Sequence, residues 1–291
     1  SLKYVSECDI IHALDIYPYG IIAWISSFIL RKKFVLTLLG TYSLDPLHRS
    51  SMTWISKMVC RRANAITAIS GFTKNEVERI IGLSNITVIN PGIDFNKFYN
   101  THVQSPENFI LSVGALKPRK GYHISISAFA IAQKQIPGLK YKIIADQDNP
   151  SYFEELKKIA EKCGVLKDIE FIQKISDEEL KDFYSKARLF ILTSINDDWS
   201  VEGFGIVFLE AAAAGLPTIG TLKTGIEDAI DSEKNGLLVQ QGSINETAEA
   251  IVKIAGDQVL WDSMSRNSYE WAKNHDWLVI INKYLEIYKK I

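Results

Sequence analysis

The chain has 291 residues, 47% of them hydrophobic, and a formal net charge of −1 at pH 7. That is enough apolar material for two domains, each with its own core, and the balanced charge argues against nucleic acid as a partner. Cys8, Cys60 and Cys163 are scattered without metal or disulfide spacing, which fits a reducing cytoplasm.

In chain order, no signal-peptide pattern is read at the start. Asp9 to Leu14 and Phe34 to Leu39 are short apolar runs of the kind a parallel sheet buries on both faces. Tyr19 to Arg31 between them reads as a helix ending in a basic turn, Arg31-Lys32-Lys33. Its apolar run, Ile21 to Leu30, is interrupted by Ser26 and Ser27 and is too short to span a bilayer. Ala65 to Ser70 and Ile86 to Ile89 repeat the strand pattern around a helix over Thr73 to Ile81. Such βαβ alternation predicts a doubly wound α/β sheet with ligands outside the carboxyl ends of the strands. Four strands make a thin domain, so this half reads as partial.

Turn residues crowd Asn90 to Phe98, and Thr101 to Glu107 is polar and contains Pro106. The boundary is placed near residue 103. A second domain then opens with a strand from Asn108 that ends at Gly114, followed by Lys117-Pro-Arg-Lys-Gly-Tyr122 and a helix over His123 to Gln135. Clustered cations and free amides before a helix suit an anion such as phosphate, although an ordinary basic loop has the same pattern. Further βα units follow, with strands at Tyr141–Ala145, Ile169–Gln173 and Arg188–Ser194, a helix over Tyr152 to Cys163, and a capping-box start at Ser176-Asp-Glu-Glu179.

The chain is organised around the stretch Asp198 to Pro217. Gly203 and Gly205 lead into an almost wholly apolar helix, and two carboxylates mark it, Glu202 before the helix and Glu210 within it. Eight residues of continuous helix would separate them by about 12 Å. The carboxyl pair of a glycosidase lies about 5 Å apart in retaining enzymes and under about 10 Å in inverting ones. A pair so spaced suits two parts of one long ligand, with the amides of Gly203, Phe204 and Gly205 offered to oxygen-rich groups. The same residues also read as a buried helix with a capping glutamate and one satisfied core glutamate.

The segment Glu202-Gly-Phe-Gly-Ile-Val-Phe-Leu-Glu210, with the Glu-Ala-x-Ala-x-Gly-x-Pro context after it, resembles the Glu-x7-Glu signature of group 1 retaining glycosyltransferases of GT-B fold. The resemblance implies two facing Rossmann-like doubly wound domains. They are a partial acceptor-side domain over 1–103 and a nucleotide-sugar domain over 104–270, with a helix over 271–291 packing back on the first. It implies that Glu210 binds the nucleotide ribose and Lys120 the donor diphosphate, and that Glu202 and the amides of Gly203 to Gly205 hold the transferred sugar. Gly114 ends the donor-side strand. Relatives have a further segment with a glycine-rich loop before the start of this chain, so its N-terminal domain is expected to be incomplete.

Several positions depart from the family pattern. Leu39 stands where relatives often have a histidine by the donor sugar, with His12 and His48 as candidate substitutes. Ala115 replaces the arginine of the diphosphate clamp, leaving Lys117 or Arg119 to reach in. Gln173 and Thr193 replace a common glycine and proline, and Thr224-Gly225-Ile226-Glu227 changes the first glycine of a Gly-Gly-x-x-Glu segment. Trp261, Trp271, Trp277 and Tyr284 of the last helices read as packing residues.

The expected activity is sugar transfer with retention from a UDP- or GDP-sugar to a glycan, lipid or small acceptor, by front-face attack, without metal or other cofactor. The alternative is a non-catalytic nucleotide-sugar-binding or scaffold subunit. The expected location is cytoplasmic, with peripheral contact at the inner membrane face left open.

Overall fold

Short apolar runs without helical periodicity become the strands of a computed structural model that describes residues 7–99, 106–146, 149–197 and 200–291. The boundary expected near 103, the linker residues 101–105, and Asp198 and Trp199 of the central stretch lie outside the described residues. The described chain forms two compact units.

The first unit is built on a four-stranded parallel sheet in the order β1 (Ile10–Leu14), β2 (Lys33–Leu38), β3 (Ala65–Ala68), β4 (Thr87–Val88). β2 is buried along Phe34 to Leu38, as a strand covered on both faces must be. The connecting helices are α1 (Ile21–Leu30), α2 (Thr41–His48), α3 (Ser50–Arg62) and α4 (Gly71–Ile81). Helix α4 starts at Ser70, whose hydroxyl accepts from the Thr73 amide, and stops at left-handed Gly82. Sequence reading left 41–62 unassigned: α3 is mostly polar, and the core takes only Val59 and Cys60 from its last turns.

The second unit begins with α5 (Phe95–Phe98) and contains six parallel strands: β5 (Phe109–Val113), β6 (Lys140–Ile144), β7 (Ile169–Ile172), β8 (Leu189–Ile191), β9 (Thr218–Thr221) and β10 (Gly236–Val239). Their spatial order is β10-β9-β8-β5-β6-β7. The chain therefore winds outward in one direction from β5 and in the other from β8, which is the Rossmann order with its switch point between those two strands. The helices are α6 (Tyr122–Gln133), α7 (Pro150–Lys162), α8 (Asp177–Lys186), α9 (Ile206–Ala213), α10 (Ile244–Gly256) and α11 (Gln258–Lys273). The capping box expected at Ser176 and Glu179 is present in both directions at the start of α8.

The two units divide between Gly92 and Ile93. The Ile93 amide donates to the His275 carbonyl at 2.9 Å and the Phe95 amide to the Asp276 carboxylate at 3.1 Å, which ties 93–98 to the end of the second unit. The chain returns to the first unit for Asn196–Phe204 and again for Trp277–Ile291, which contains α12 (Trp277–Lys290). Residues 271–276 stay with the second unit. Trp261 and Trp271 donate to the carbonyls of Arg188 and Ala229, Trp277 lies against Gly92, and Tyr284 stacks obliquely on His12.

Candidate functional site

At the switch point of the second unit, the backbone after β5 meets the backbone after β8. Lys117 begins a turn that becomes a single 3-10 turn at Pro118–Lys120 and ends at Gly121, whose φ is +73°. The Ile195 amide donates to the Arg119 carbonyl at 2.8 Å, and the Thr193 hydroxyl to the Gly121 carbonyl at 2.8 Å. A Cβ on Gly121 would sit 1.9 Å from the Thr193 carbonyl oxygen, so only glycine fits after Lys120. Thr193, which departs from the family's proline, therefore holds the basic turn in place. Lys117 is exposed, and Arg119 and Lys120 are half-buried. The Lys120 Cε lies 4.0 Å from where a Gly114 Cβ would be.

Beside this turn, a cavity of about 250 Å³ opens at the carboxyl ends of β5, β6 and β7. Gly114, Ala115, Asp146, Gln173 and Lys174 line it. Ala115 and Gln173, two of the departures from the family pattern, are thus brought to the same wall. Ala115 is exposed.

Glu210 occupies the middle of α9 and is half-buried. The hydroxyl of the fully buried Tyr184 donates to its Oε2 at 2.9 Å. Burial pushes the Glu210 carboxyl above the usual range, while the Tyr184 hydrogen bond and the charge of Lys97 oppose the rise. Lys97 itself pairs with Asp177 at the start of α8, Nζ to Oδ2 2.7 Å. Tyr184 is driven well above its ordinary pKa by burial first and then by the Glu210 charge, with Tyr122 adding to it. Tyr122 in turn donates to the Gly114 carbonyl at 2.8 Å. One buried phenol thus serves Glu210 and another the Gly114 turn. Sequence reading missed both tyrosines. Their signal was the carboxylate in an apolar helix, which demands a donor but does not say from where.

Glu202, Gly203 and Phe204 are buried and belong to the first unit, whereas Gly205 and all of α9 belong to the second. The Glu-x7-Glu segment is therefore shared by both units. The helix begins only at Ile206, so the separation of about 12 Å expected for continuous helix does not apply to this pair. A Cβ on Gly203 would lie 2.6 Å from the Leu39 carbonyl oxygen, and one on Gly40 2.8 Å from the Gly203 Cα. Two glycine backbones are thus pressed together at the carboxyl end of β2. The Thr41 hydroxyl accepts from the Val201 amide and donates to the Val201 carbonyl, both at 3.0 Å.

Asp15, also unrecognised in the sequence, holds the other side of that turn. Its buried carboxylate accepts from the Leu39 amide at 2.9 Å and from the Ser43 hydroxyl, and burial raises its pKa despite both bonds. A lone aspartate between Leu14 and Ile16 was the available signal. Two histidines are the candidate substitutes for Leu39. His12 has both ring nitrogens within 2.6 Å of the Tyr288 and Thr37 hydroxyls, and His48 feels the charges of Arg79, Glu76 and Asp45. Among the described residues, no group of three or more His, Cys, Asp or Glu side chains gathers as a metal-holding cluster.

Residues 95–271 match the family model described as glycosyl transferases group 1, and residues 2–97 match that of Glycosyltransferase Family 4. The chain belongs to the group 1 glycosyltransferase family. A GDP-mannose-dependent alpha-(1-6)-phosphatidylinositol monomannoside mannosyltransferase of Mycobacterium tuberculosis is 26% identical over 239 residues, which are 76% of this chain and 61% of the relative. An uncharacterized glycosyltransferase of Methanocaldococcus jannaschii is 25% identical over 283 residues, covering 97% of this chain and 76% of that one. The crystal structure of Anabaena HepE in complex with UDP superposes with a TM-score of 0.86 at 22% identity, over 100% of this chain and 81% of that one. This group 1 glycosyltransferase has the GT-B fold, and it spans 61% of the length of the mycobacterial relative.

Proposed function

We infer that this group 1 glycosyltransferase transfers a sugar, with retention of configuration, from a nucleotide-diphosphate sugar to a glycan, lipid or small-molecule acceptor in the cytoplasm. The observation that carries the reading is Glu210: a half-buried carboxylate held by a buried tyrosine, in a unit whose switch-point turn presents Lys117, Arg119 and Lys120. A carboxylate with a fixed donor on one side keeps acceptor lone pairs for the paired hydroxyls of a ribose. Cations on a rigid turn suit the diphosphate, which gathers charge as its bond to the sugar breaks and then needs no general acid. The wall of Gly114, Ala115 and Gln173 takes the nucleotide base in this reading. Glu202 and the amides of Gly203 to Gly205 are assigned through the motif to hydroxyls of the transferred sugar, and attack is on the front face.

Support comes also from relatives. HepE was crystallised with UDP, and the mycobacterial relative is named for GDP-mannose. The test is calorimetry with UDP, GDP and ADP and their sugars, followed by turnover with a labelled donor and assignment of the product anomer. A nucleotide at about 100 times its dissociation constant stabilises the native state by about 2.7 kcal/mol, which a thermal shift reads easily. Binding of one base and an anomer of unchanged configuration are expected. An inverted product refutes retention. Glu210→Ala binding nucleotide as tightly as the parent refutes the ribose assignment. Binding without turnover would favour the scaffold alternative, to which Leu39 and Ala115 give a specific motive.

A further inference from the structure

Helix α5 is a single turn, and of its four residues only Phe98 is buried. A helix so short does not hold itself together in water, yet this one is tied down at several points. The Asp94 carboxylate accepts from the Lys97 amide at 3.2 Å, and the Asp276 carboxylate from the Phe95 amide at 3.1 Å. Phe95 stacks on Tyr99 with ring centroids 4.9 Å apart, and Tyr99 meets Tyr269 of α11 edge to face at 5.4 Å. Phe98 meets Tyr184 edge to face at 5.8 Å, so α5 packs on the phenol that holds Glu210. What the anchored turn presents is Lys97. Its ammonium lies over the Phe98 ring, 5.4 Å from the centre, and pairs with Asp177 at 2.7 Å. Glu210 feels both of those charges: the cation favours its carboxylate and the aspartate opposes it.

The other groups packed around Glu210 act differently. Tyr184 is a neutral donor whose own proton is held tightly. On α8, Glu178 is paired with Lys181 at 2.7 Å and Glu179 closes the capping box. From α11, Tyr269 donates to the Ala214 carbonyl at 3.3 Å, beyond the last turn of α9, while Arg266, Glu270 and Lys273 are exposed. Strand β9 carries no titratable side chain. A carboxylate that takes two ribose hydroxyls must be ionised, since a proton on it turns one acceptor into a donor. Burial works against that charge, and a cation at hand restores it. We propose that Lys97 is a positioning residue for nucleotide recognition: shared between Asp177 and Glu210, it keeps Glu210 a charged acceptor for the ribose, and Asp177 sets how much of the cation Glu210 receives. The proposal rests on the ribose reading of Glu210 given above.

The test reads Glu210 directly and then through a ligand. In the whole chain with isotope-labelled glutamate, the Glu210 carboxyl resonance, assigned by its loss in Glu210→Gln, is titrated by NMR without ligand. Lys97→Met should raise its midpoint, Lys97→Arg should hold it, and Asp177→Asn, which frees the ammonium, should lower it. Lys186→Ala, which breaks the Asp182 pair in the last turns of α8, should leave it unchanged. Calorimetry with UDP and GDP over the same pH range follows, the phosphate's own titration being common to all variants. Affinity should begin to fall on acidification at higher pH in Lys97→Met and at lower pH in Asp177→Asn. At neutral pH, Lys97→Met should weaken binding by up to about fivefold, the range of an exposed charge pair. A midpoint unmoved in Lys97→Met, or moved the same way in Lys97→Met and Asp177→Asn, overturns the proposal and leaves the ribose reading standing. Affinity lost equally at every pH also overturns it, because the ammonium would then be touching the nucleotide itself. Midpoints that move as expected while Glu210→Ala binds as tightly as the parent overturn the ribose reading, and the role in recognition with it.

Discussion

The two units place their halves of the central motif by different physical means. In the first, Glu202 is set by backbone against backbone: Gly203 lies on the Leu39–Gly40 turn, and Thr41 clasps Val201. In the second, Glu210 is set by one side-chain hydrogen bond from Tyr184. Backbone placement is rigid and intolerant of any added atom, because the neighbour cannot rotate away. Side-chain placement is adjustable, and it leaves the carboxylate's charge open to tuning by burial and by the nearby Lys97–Asp177 pair.

The largest effect tests the rule where the second unit also uses backbone contact. Gly121→Ala would put a methyl 1.9 Å from the Thr193 carbonyl oxygen at a φ of +73°. Left-handed strain of about 1 to 2 kcal/mol adds to overpacking of about 1 to 3, so a loss near 4 kcal/mol is expected in urea unfolding. Gly82→Ala is the control: its φ is +69° but a Cβ there meets nothing within 4 Å, so only about 1 kcal/mol should be lost. Equal losses would show that conformation, rather than contact, makes Gly121 necessary.

Gly203→Ala comes next, at about 2 to 3 kcal/mol, because the Leu39 oxygen and the Ile69 Cδ1 stand 2.6 and 3.0 Å from the new methyl. An unfolding midpoint unchanged from the parent would mean that the two glycine backbones separate at little cost. Tyr184→Phe follows. It removes the phenol donor from a half-buried carboxylate and should cost about 2 kcal/mol. In the proposed reading it also weakens nucleotide binding. Unchanged stability together with unchanged affinity would show that Glu210 is placed by something other than Tyr184.

Much of this was legible in the sequence because it is written in local patterns. The parallel strands of both sheets follow from short apolar runs between turns, and the start of α8 from Ser176 and Glu179. What was not legible depends on pairs distant in the chain. Tyr184 and Glu210 are 26 residues apart, Thr41 and Val201 160, and Asp15 and Leu39 24. No periodicity joins such positions. The division of the motif between the units, after Phe204, was equally hidden, since the glycines that mark it serve packing on one side and a helix start on the other.

The smallest effect is a slope rather than a step, and it isolates the charge of Glu210. Burial raises its carboxyl in the folded state above the ordinary glutamate value of 4.5. The native state then holds its proton more tightly than the unfolded chain does, so this group's contribution to stability is fully present below pH 4.5. It is lost as the pH rises through the raised native value. Glu210→Gln keeps the shape without the titration, so the difference in unfolding free energy between variant and parent should move in the variant's favour above pH 4.5 and then level off. A flat difference across that window would show the carboxylate to be well solvated in the folded protein. The glutamine should nevertheless bind nucleotide more weakly, because a neutral amide gives up the charge-assisted bonds to ribose hydroxyls. A variant that is more stable at neutral pH and yet a poorer binder would show that the strain on Glu210 belongs to recognition, whereas Gly203 and Gly121 belong to the fold.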